Sequence, residues 1–156
     1  SRAPLRLQPV PLADAVAQTR ATLAPAEAGR AVEWRVAADL PTLQADPALL
    51  QDLLVQLLGN ALKFTRPVAQ PCITVLADAA PAGQVAFTVQ DNGVGFDLAR
   101  AGSLFGVFQR LHRETEFDGV GTGLALCRAI AQRHGAQISA TAVPGRGCTV
   151  RVGWPA

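Results

Sequence analysis

No stretch of this 156-residue chain gathers lysine and arginine into a block, and the formal net charge is only +2. Binding along a phosphate backbone needs a basic face, so nucleic acid is not expected as a partner. No apolar run approaches the roughly 20 residues of a membrane span, and no basic-then-apolar signal segment opens the chain. No membrane contact is therefore expected of this piece. Its three cysteines, Cys72, Cys127 and Cys148, stand far apart without a Cys-x-x-Cys pair. That pattern argues against a disulfide framework and against a zinc knuckle, and it suits reduced core thiols in a cytoplasmic protein. His112 and His134 lack partners at metal-ligand spacing and read as ordinary, partly exposed residues. Repeats and low-complexity tracts are missing too. The apolar fraction is 49%, enough for one domain of this length to hold a core without staples.

The hydrophobic pattern divides the chain into short elements. Residues 1–11 carry Pro4, Pro9 and Pro11 and read as an extended linker running into a first edge strand. Leu12, Val16, Thr19 and Leu23 recur at helical spacing, and Pro25 ends that helix. Alternation over 32–36 predicts a strand. Asp46 as N-cap and Pro47 at the first helical position start a helix that runs to about residue 65. Strands are expected over 72–77 and 84–90, around a turn at Pro81-Ala82-Gly83. Residues 97–119 show little periodicity and read as a long, partly helical loop. A helix over 123–134 closes at Gly135 as a left-handed cap, and strands over 137–142 and 148–154 flank Pro144-Gly145. About five strands and three main helices, without strict alternation, predict a two-layer α/β sandwich.

Three sites within this plan carry chemistry. On the helix over 47–65, seven residues from Leu50 to Leu62 form a broad apolar face, while Gln56, Asn60 and Lys63 share another face at spacings of four and three. A half-buried Asn in mid-helix is costly unless something occupies its amide. Its carbonyl oxygen suits Mg²⁺, which prefers oxygen ligands and is held jointly by protein and substrate phosphates. Lys63 is placed to neutralise phosphate charge. A plain solvated face is the competing reading of these three residues.

The second site is Asp91-Asn92-Gly93-Val94-Gly95-Phe96. A strand delivers Asp91, and Asn92-Gly93 turns the chain sharply. A buried carboxylate accepts a hydrogen bond from the exocyclic amine of adenine and rejects guanine, which offers a carbonyl oxygen there. A hairpin turn is the plainer alternative, but no strand resumes after Phe96. The third site is Gly119-Val120-Gly121-Thr122-Gly123-Leu124, ahead of a helix. Such glycines let N–H groups converge on an anion, and the helix start adds a positive dipole end. It lacks the third glycine of a dinucleotide fingerprint and the Gly-Lys-Ser/Thr of a P-loop, and a flexible hinge remains the alternative.

Taken in this order, the three sites resemble the ATP-binding catalytic domain of sensor histidine kinases, in the superfamily shared with gyrase B, the heat-shock-90 chaperones and the MutL proteins. The details look closest to kinases of the phytochrome-like type. The segment "LLVQLLGNALKFT" looks like the family's N box, with Gln56 where a second Asn is usual. ATP-hydrolysing relatives carry a Glu there that activates water, a role a neutral Gln cannot take. "DNGVGF" and "GVGTGL" are similar to its two glycine boxes, Gly145-Arg146-Gly147 to a short C-terminal glycine motif, and "LFGVFQRLH", with Phe105 and Phe108, to its F box.

The resemblance implies a Bergerat-type fold with a mixed, roughly five-stranded sheet and three helices on one face. It implies ATP and Mg²⁺ as cofactors, with Asn60 as metal ligand and Asn60, Lys63 and Arg110 as the catalytic group, Arg110 reaching the γ-phosphate and Arg113 a nearby substitute. Gln56, Asn60, Lys63, Asp91, Gly93, Gly95, Phe96, Gly119, Gly121, Thr122, Gly123 and Leu124 would contact nucleotide, under a lid over 97–120. Residues 12–156 would form the catalytic domain, and residues 1–11 the linker from a missing helical hairpin. Neither His112, followed by Arg113, nor His134, followed by Gly135, has the context of a phospho-acceptor. The implied partners are the dimerisation and phospho-acceptor hairpin of the parent protein and a response-regulator receiver domain. The Gln56 departure leaves open a non-catalytic, nucleotide-responsive interaction module, and disfavours a stand-alone ATPase or protein-serine kinase.

Overall fold

The computed structural model describes residues 3–95 and 120–156. Strands β1 (Gln8–Pro11), β2 (Glu33–Val36), β3 (Thr42–Ala45), β4 (Cys72–Asp78), β5 (Gln84–Asp91), β6 (Gln137–Val143) and β7 (Gly147–Pro155) accompany helices α1 (Leu12–Thr22), α2 (Ala24–Glu27), α3 (Pro47–Phe64) and α4 (Val120–Arg133). Five strands form one mixed sheet in the order β2-β4-β5-β7-β6. Only β2 and β4 run parallel; the other pairs are antiparallel. Alternation puts Ile73, Val75, Phe87, Val89, Val150, Val152 and Trp154 on the buried face, where they meet the apolar stripes of α1, α3 and α4. This is the expected two-layer sandwich.

Helix α3 forms the spine of the helical layer. The Asp46 carboxylate accepts from the N–H groups of Ala48 (3.1 Å) and Leu49 (3.3 Å), and Pro47 occupies the first turn where no N–H is needed. Leu50, Leu53, Leu54, Leu57, Leu58, Ala61 and Leu62 are buried. At the other end Arg30 donates to the Leu62 carbonyl (2.8 Å) and to Thr65 Oγ1 (3.0 Å), a cation placed on the negative end of the helix. Helix α4 closes as expected: Gly135 takes φ +69°, and the Ala136 N–H reaches back to the Ala131 carbonyl.

Four details depart from the sequence reading. The edge strand expected within residues 1–11 is β1, but it pairs with β3 in a separate two-stranded ribbon, not with the main sheet. Strand β3 and the one-turn α2 were not foreseen. Four residues are too short for a periodic signal, and Pro25 starts α2 because proline is tolerated in a first helical turn. Helix α4 begins at Val120, three residues earlier than expected. His134 is buried, not partly exposed. Its Nδ1 donates to the Ile130 carbonyl (2.8 Å), its Nε2 accepts from the Asp46 N–H (3.1 Å), and the ring lies 4.7 Å from the Trp154 ring. With both nitrogens matched, burial costs little, and no sequence spacing announces such a bond across 88 residues.

Candidate functional site

One cavity opens between α3, the end of β5, the start of β7 and the start of α4. Leu57, Asn60, Phe64, Asp91, Leu124 and Cys148 line it. Asp91 is the last residue of β5 and pairs with Ile73 on one side and Cys148 on the other. Both neighbours are on the helix-facing side, so the Asp91 carboxyl points toward α3. Gly93 N–H donates to Asp91 Oδ1 (2.8 Å), and the backbone of Cys148 beside the carboxylate also favours its charged form. Burial dominates all the same and pushes the Asp91 pKa up to about 6.

A raised carboxylate pKa sets the sign of a stability effect. Between the ordinary value of 3.8 and about 6, the folded chain holds a proton that the unfolded chain has released. This contribution is fully present below pH 3.8 and is lost as pH rises through about 6. The nucleotide-free Asp91→Asn variant should therefore gain on the wild type as pH rises from 4 to 7, by on the order of 2 kcal/mol. Thermal melts of both proteins across that range read the difference, and a constant gap would contradict the burial argument.

The turn after Asp91 is held against its surroundings. Val94 N–H donates to the Phe64 carbonyl at the end of α3 (3.1 Å), and Gly145 N–H donates to the Val94 carbonyl. Two glycines permit this closeness. Gly95 has φ +65° and packs on the Val143 carbonyl, while Gly147 has φ +112° and packs on the Asp91 carbonyl; a Cβ at either would overlap backbone. The C-terminal glycine motif thus buttresses the Asp91 turn through the β6–β7 hairpin.

Asn60 opens into the same cavity from α3, half-buried. Among the described residues its buried Nδ2 has no hydrogen-bond partner. Such an orphan is costly unless another group meets it. Amide nitrogen and oxygen are interchangeable in shape, so a flipped amide presents an unpaired acceptor at the same point. Among the described residues no three His, Cys, Asp or Glu side chains cluster to hold a metal. Gln56, one turn earlier, reaches α4: its Oε1 lies 2.5 Å from where a Cβ on Gly123 would stand. Lys63 is half-buried in the last turn of α3.

Most of the candidate residues are thereby located. Asn60, Asp91 and Leu124 share one cavity; Gly93 and Gly95 form the turn at its edge; Gln56 and Gly123 are in contact where α3 meets α4. The backbone of Gly121 and Thr122 belongs to the first turn of α4, whose leading N–H groups have no partner within the helix. Phe96, Arg110 and Gly119, with residues 97–119 of the expected lid, lie outside the described residues. The sequence reading took Cys148 for a core cysteine. Its place beside Asp91 was readable only from strand register, since Cys148, Val150, Val152 and Trp154 alternate onto the inner face. All three cysteines are free thiols, and burial pushes Cys127 and Cys148 up to about 12.

Comparisons with known proteins speak to the family and the fold. Residues 45–156 match the family described as histidine kinase-, DNA gyrase B- and HSP90-like ATPase. The phytochrome-like protein Cph1 of Synechocystis is 37% identical over 110 residues, which cover 70% of this chain and 14% of that protein. The adaptive-response sensory kinase SasA of Synechococcus elongatus is 36% identical over 120 residues, covering 77% of this chain and 30% of its own length. The circadian input-output histidine kinase CikA of the same species is 32% identical over 162 residues, covering 99% and 21%. The crystal structure of full-length ShkA in complex with AMPPNP superposes with a TM-score of 0.78 at 28% identity, over 99% of this chain and 32% of ShkA. The mycobacterial sensor histidine kinase MprB, at 19% identity and a TM-score of 0.78, shares the fold over 96% of this chain and 97% of its own.

The fold and the family match thus define an ATP-binding ATPase domain of the histidine-kinase type. The chain belongs to the histidine kinase-, DNA gyrase B- and HSP90-like ATPase family, and its relatives are sensor kinases. It spans 14–30% of the length of the three relatives above.

Proposed function

We propose that this chain is the phosphoryl-donating domain of a two-component sensor histidine kinase. It would bind ATP and pass the γ-phosphoryl group to a histidine on a separate dimerisation hairpin of its parent protein. One observation carries the reading: a half-buried carboxylate, Asp91, and an amide, Asn60, whose Nδ2 has no partner among the described residues, open into one cavity beside the start of a helix. Asp91 would accept from the adenine amine, with Gly93, Gly95 and Phe96 shaping the base pocket. The leading N–H groups of α4, which the helix itself does not use, with Gly119, Gly121, Thr122, Gly123 and Leu124, would cradle the phosphates. Asn60 fits as the protein's oxygen ligand for Mg²⁺, with the remaining ligands drawn from phosphate and water. When bound, that ion would neutralise charge building on the β- and γ-phosphates. Lys63 and Arg110 would add positive charge along the triphosphate, and Gln56 would set the approach of α3 to the glycine loop.

Phosphoryl transfer of this kind is chiefly positioning and charge stabilisation, which matches a site without a candidate base for water at Gln56. A response-regulator receiver domain would then accept the phosphoryl group from the hairpin, in the cytoplasm. Among the described residues no helix is long and apolar enough to cross a membrane. The test is incubation with γ-labelled ATP and Mg²⁺, alone and with the parent's hairpin. The hairpin should acquire acid-labile label, weakly, because no covalent link raises its effective concentration. The isolated chain should neither label itself nor hydrolyse ATP quickly. Tight ATP binding with no label on the hairpin would favour an interaction module, and label on this chain would contradict the reading of His112 and His134.

A further inference from the structure

Asn92 follows Asp91, and its exposed side chain is bonded at both ends to backbone 20 and 22 residues away. The Cys72 N–H donates to its Oδ1 (2.8 Å), and its Nδ2 donates to the Gln70 carbonyl (2.9 Å). Its own backbone N–H donates to the Cys72 carbonyl (3.3 Å). The β4–β5 ladder ends at the pair Ile73 and Asp91; beyond it one backbone bond persists, and the Asn92 Oδ1 takes the Cys72 N–H that a continuing ladder would give to the Asn92 carbonyl. An exposed asparagine needs no such partners, because water meets its amide equally well. What the bridge does is fix the direction in which the chain leaves β5. The next two N–H groups depend on that direction: Gly93 turns back to Asp91 Oδ1 (2.8 Å), and Val94 reaches the Phe64 carbonyl (3.1 Å).

We infer that Asn92 is a positioning residue for adenine selection: its amide clamp to Gln70 and Cys72 aims the Asp91 carboxylate. The inference rests on the proposed role of Asp91 in reading the base. A hydrogen bond to an exocyclic amine is directional, so a carboxylate that swings loses both strength and its power to reject guanine. The clamp is at the surface, where water replaces the lost bonds, so its removal acts on aim more than on folding.

The experiment is calorimetric titration of the whole chain, as Asn92→Ala, Asn92→Asp and wild type, with Mg-ATP and Mg-GTP, beside thermal melts without nucleotide. Asn92→Ala should bind ATP about tenfold more weakly, as expected for a misplaced recognition group, while weak GTP binding changes little, so the ATP-to-GTP preference falls. Asn92→Asp keeps the acceptor for the Cys72 N–H and loses the donor to Gln70, so it should fall between the two. It is isosteric and carries the same test should Asn92→Ala not fold. A lower melting temperature with the wild-type ATP-to-GTP preference would show a merely structural clamp and overturn the inference. If the wild type bound neither nucleotide, the reading of the site would fall, and this inference with it.

Discussion

Asp91→Ala should weaken ATP binding by roughly fivefold to more than a hundredfold, the 1–3 kcal/mol cost of leaving a buried polar partner unmet. Asp91 ends β5 on the helix-facing side, in the cavity, with only backbone N–H groups as its partners among the described contacts. Those N–H groups hold the carboxyl without neutralising it, which leaves acceptor capacity for an amine. Asn is no substitute, since its NH₂ would face either an N–H donor or the adenine amine. Displacement of a fluorescent ATP analogue measures the loss, with circular dichroism to show that the variant is folded. A folded Asp91→Ala protein whose ATP affinity stays within about twofold of wild type, well under the cost of one unmet buried bond, would remove Asp91 from the site.

Asn60→Ala should abolish the gain in ATP affinity that Mg²⁺ gives the wild type, while leaving the metal-free affinity nearly unchanged. Its Nδ2 is the one buried side-chain N or O atom without a partner among the described residues, and the amide is in the cavity with Asp91. Alanine favours helix more than asparagine does, so α3 should persist. Removing an orphan polar group should also leave the melting temperature of the nucleotide-free chain the same or higher. Parallel titrations in EDTA and in Mg²⁺ separate the two effects. An undiminished Mg²⁺ gain in the variant would mean that the metal is held elsewhere.

Much of this arrangement was legible in the sequence because its parts are local. The α3 start was announced by Asp46-Pro47, the inner face of α3 by leucines at helical spacing, and the Asp91 turn by Asn-Gly after an alternating strand. What could not be read was set by contacts distant in the chain. The four-residue β3 exists because β1 pairs with it, and the burial of His134 depends on an N–H of residue 46 and the ring of residue 154. The same holds for Cys148, which joins the cavity through a register between β5 and β7. It holds too for Asn92, whose turn propensity was visible while its bridge to Gln70 and Cys72 was not. The helix start at Val120 shows the limit of turn chemistry: the glycines suggested a loop, yet Gly121 and Gly123 lie within the first turn of α4, where orphan N–H groups serve an anion equally well.

The central claim is an adenine-reading, metal-assisted phosphate site, and titrating the unmodified chain with ATP and with GTP, each with and without Mg²⁺, tests it most directly. Saturable ATP binding, strengthened by Mg²⁺ and about tenfold or more tighter than GTP binding, is the predicted result. Equal affinity for the two nucleotides, or no binding of either, would contradict it.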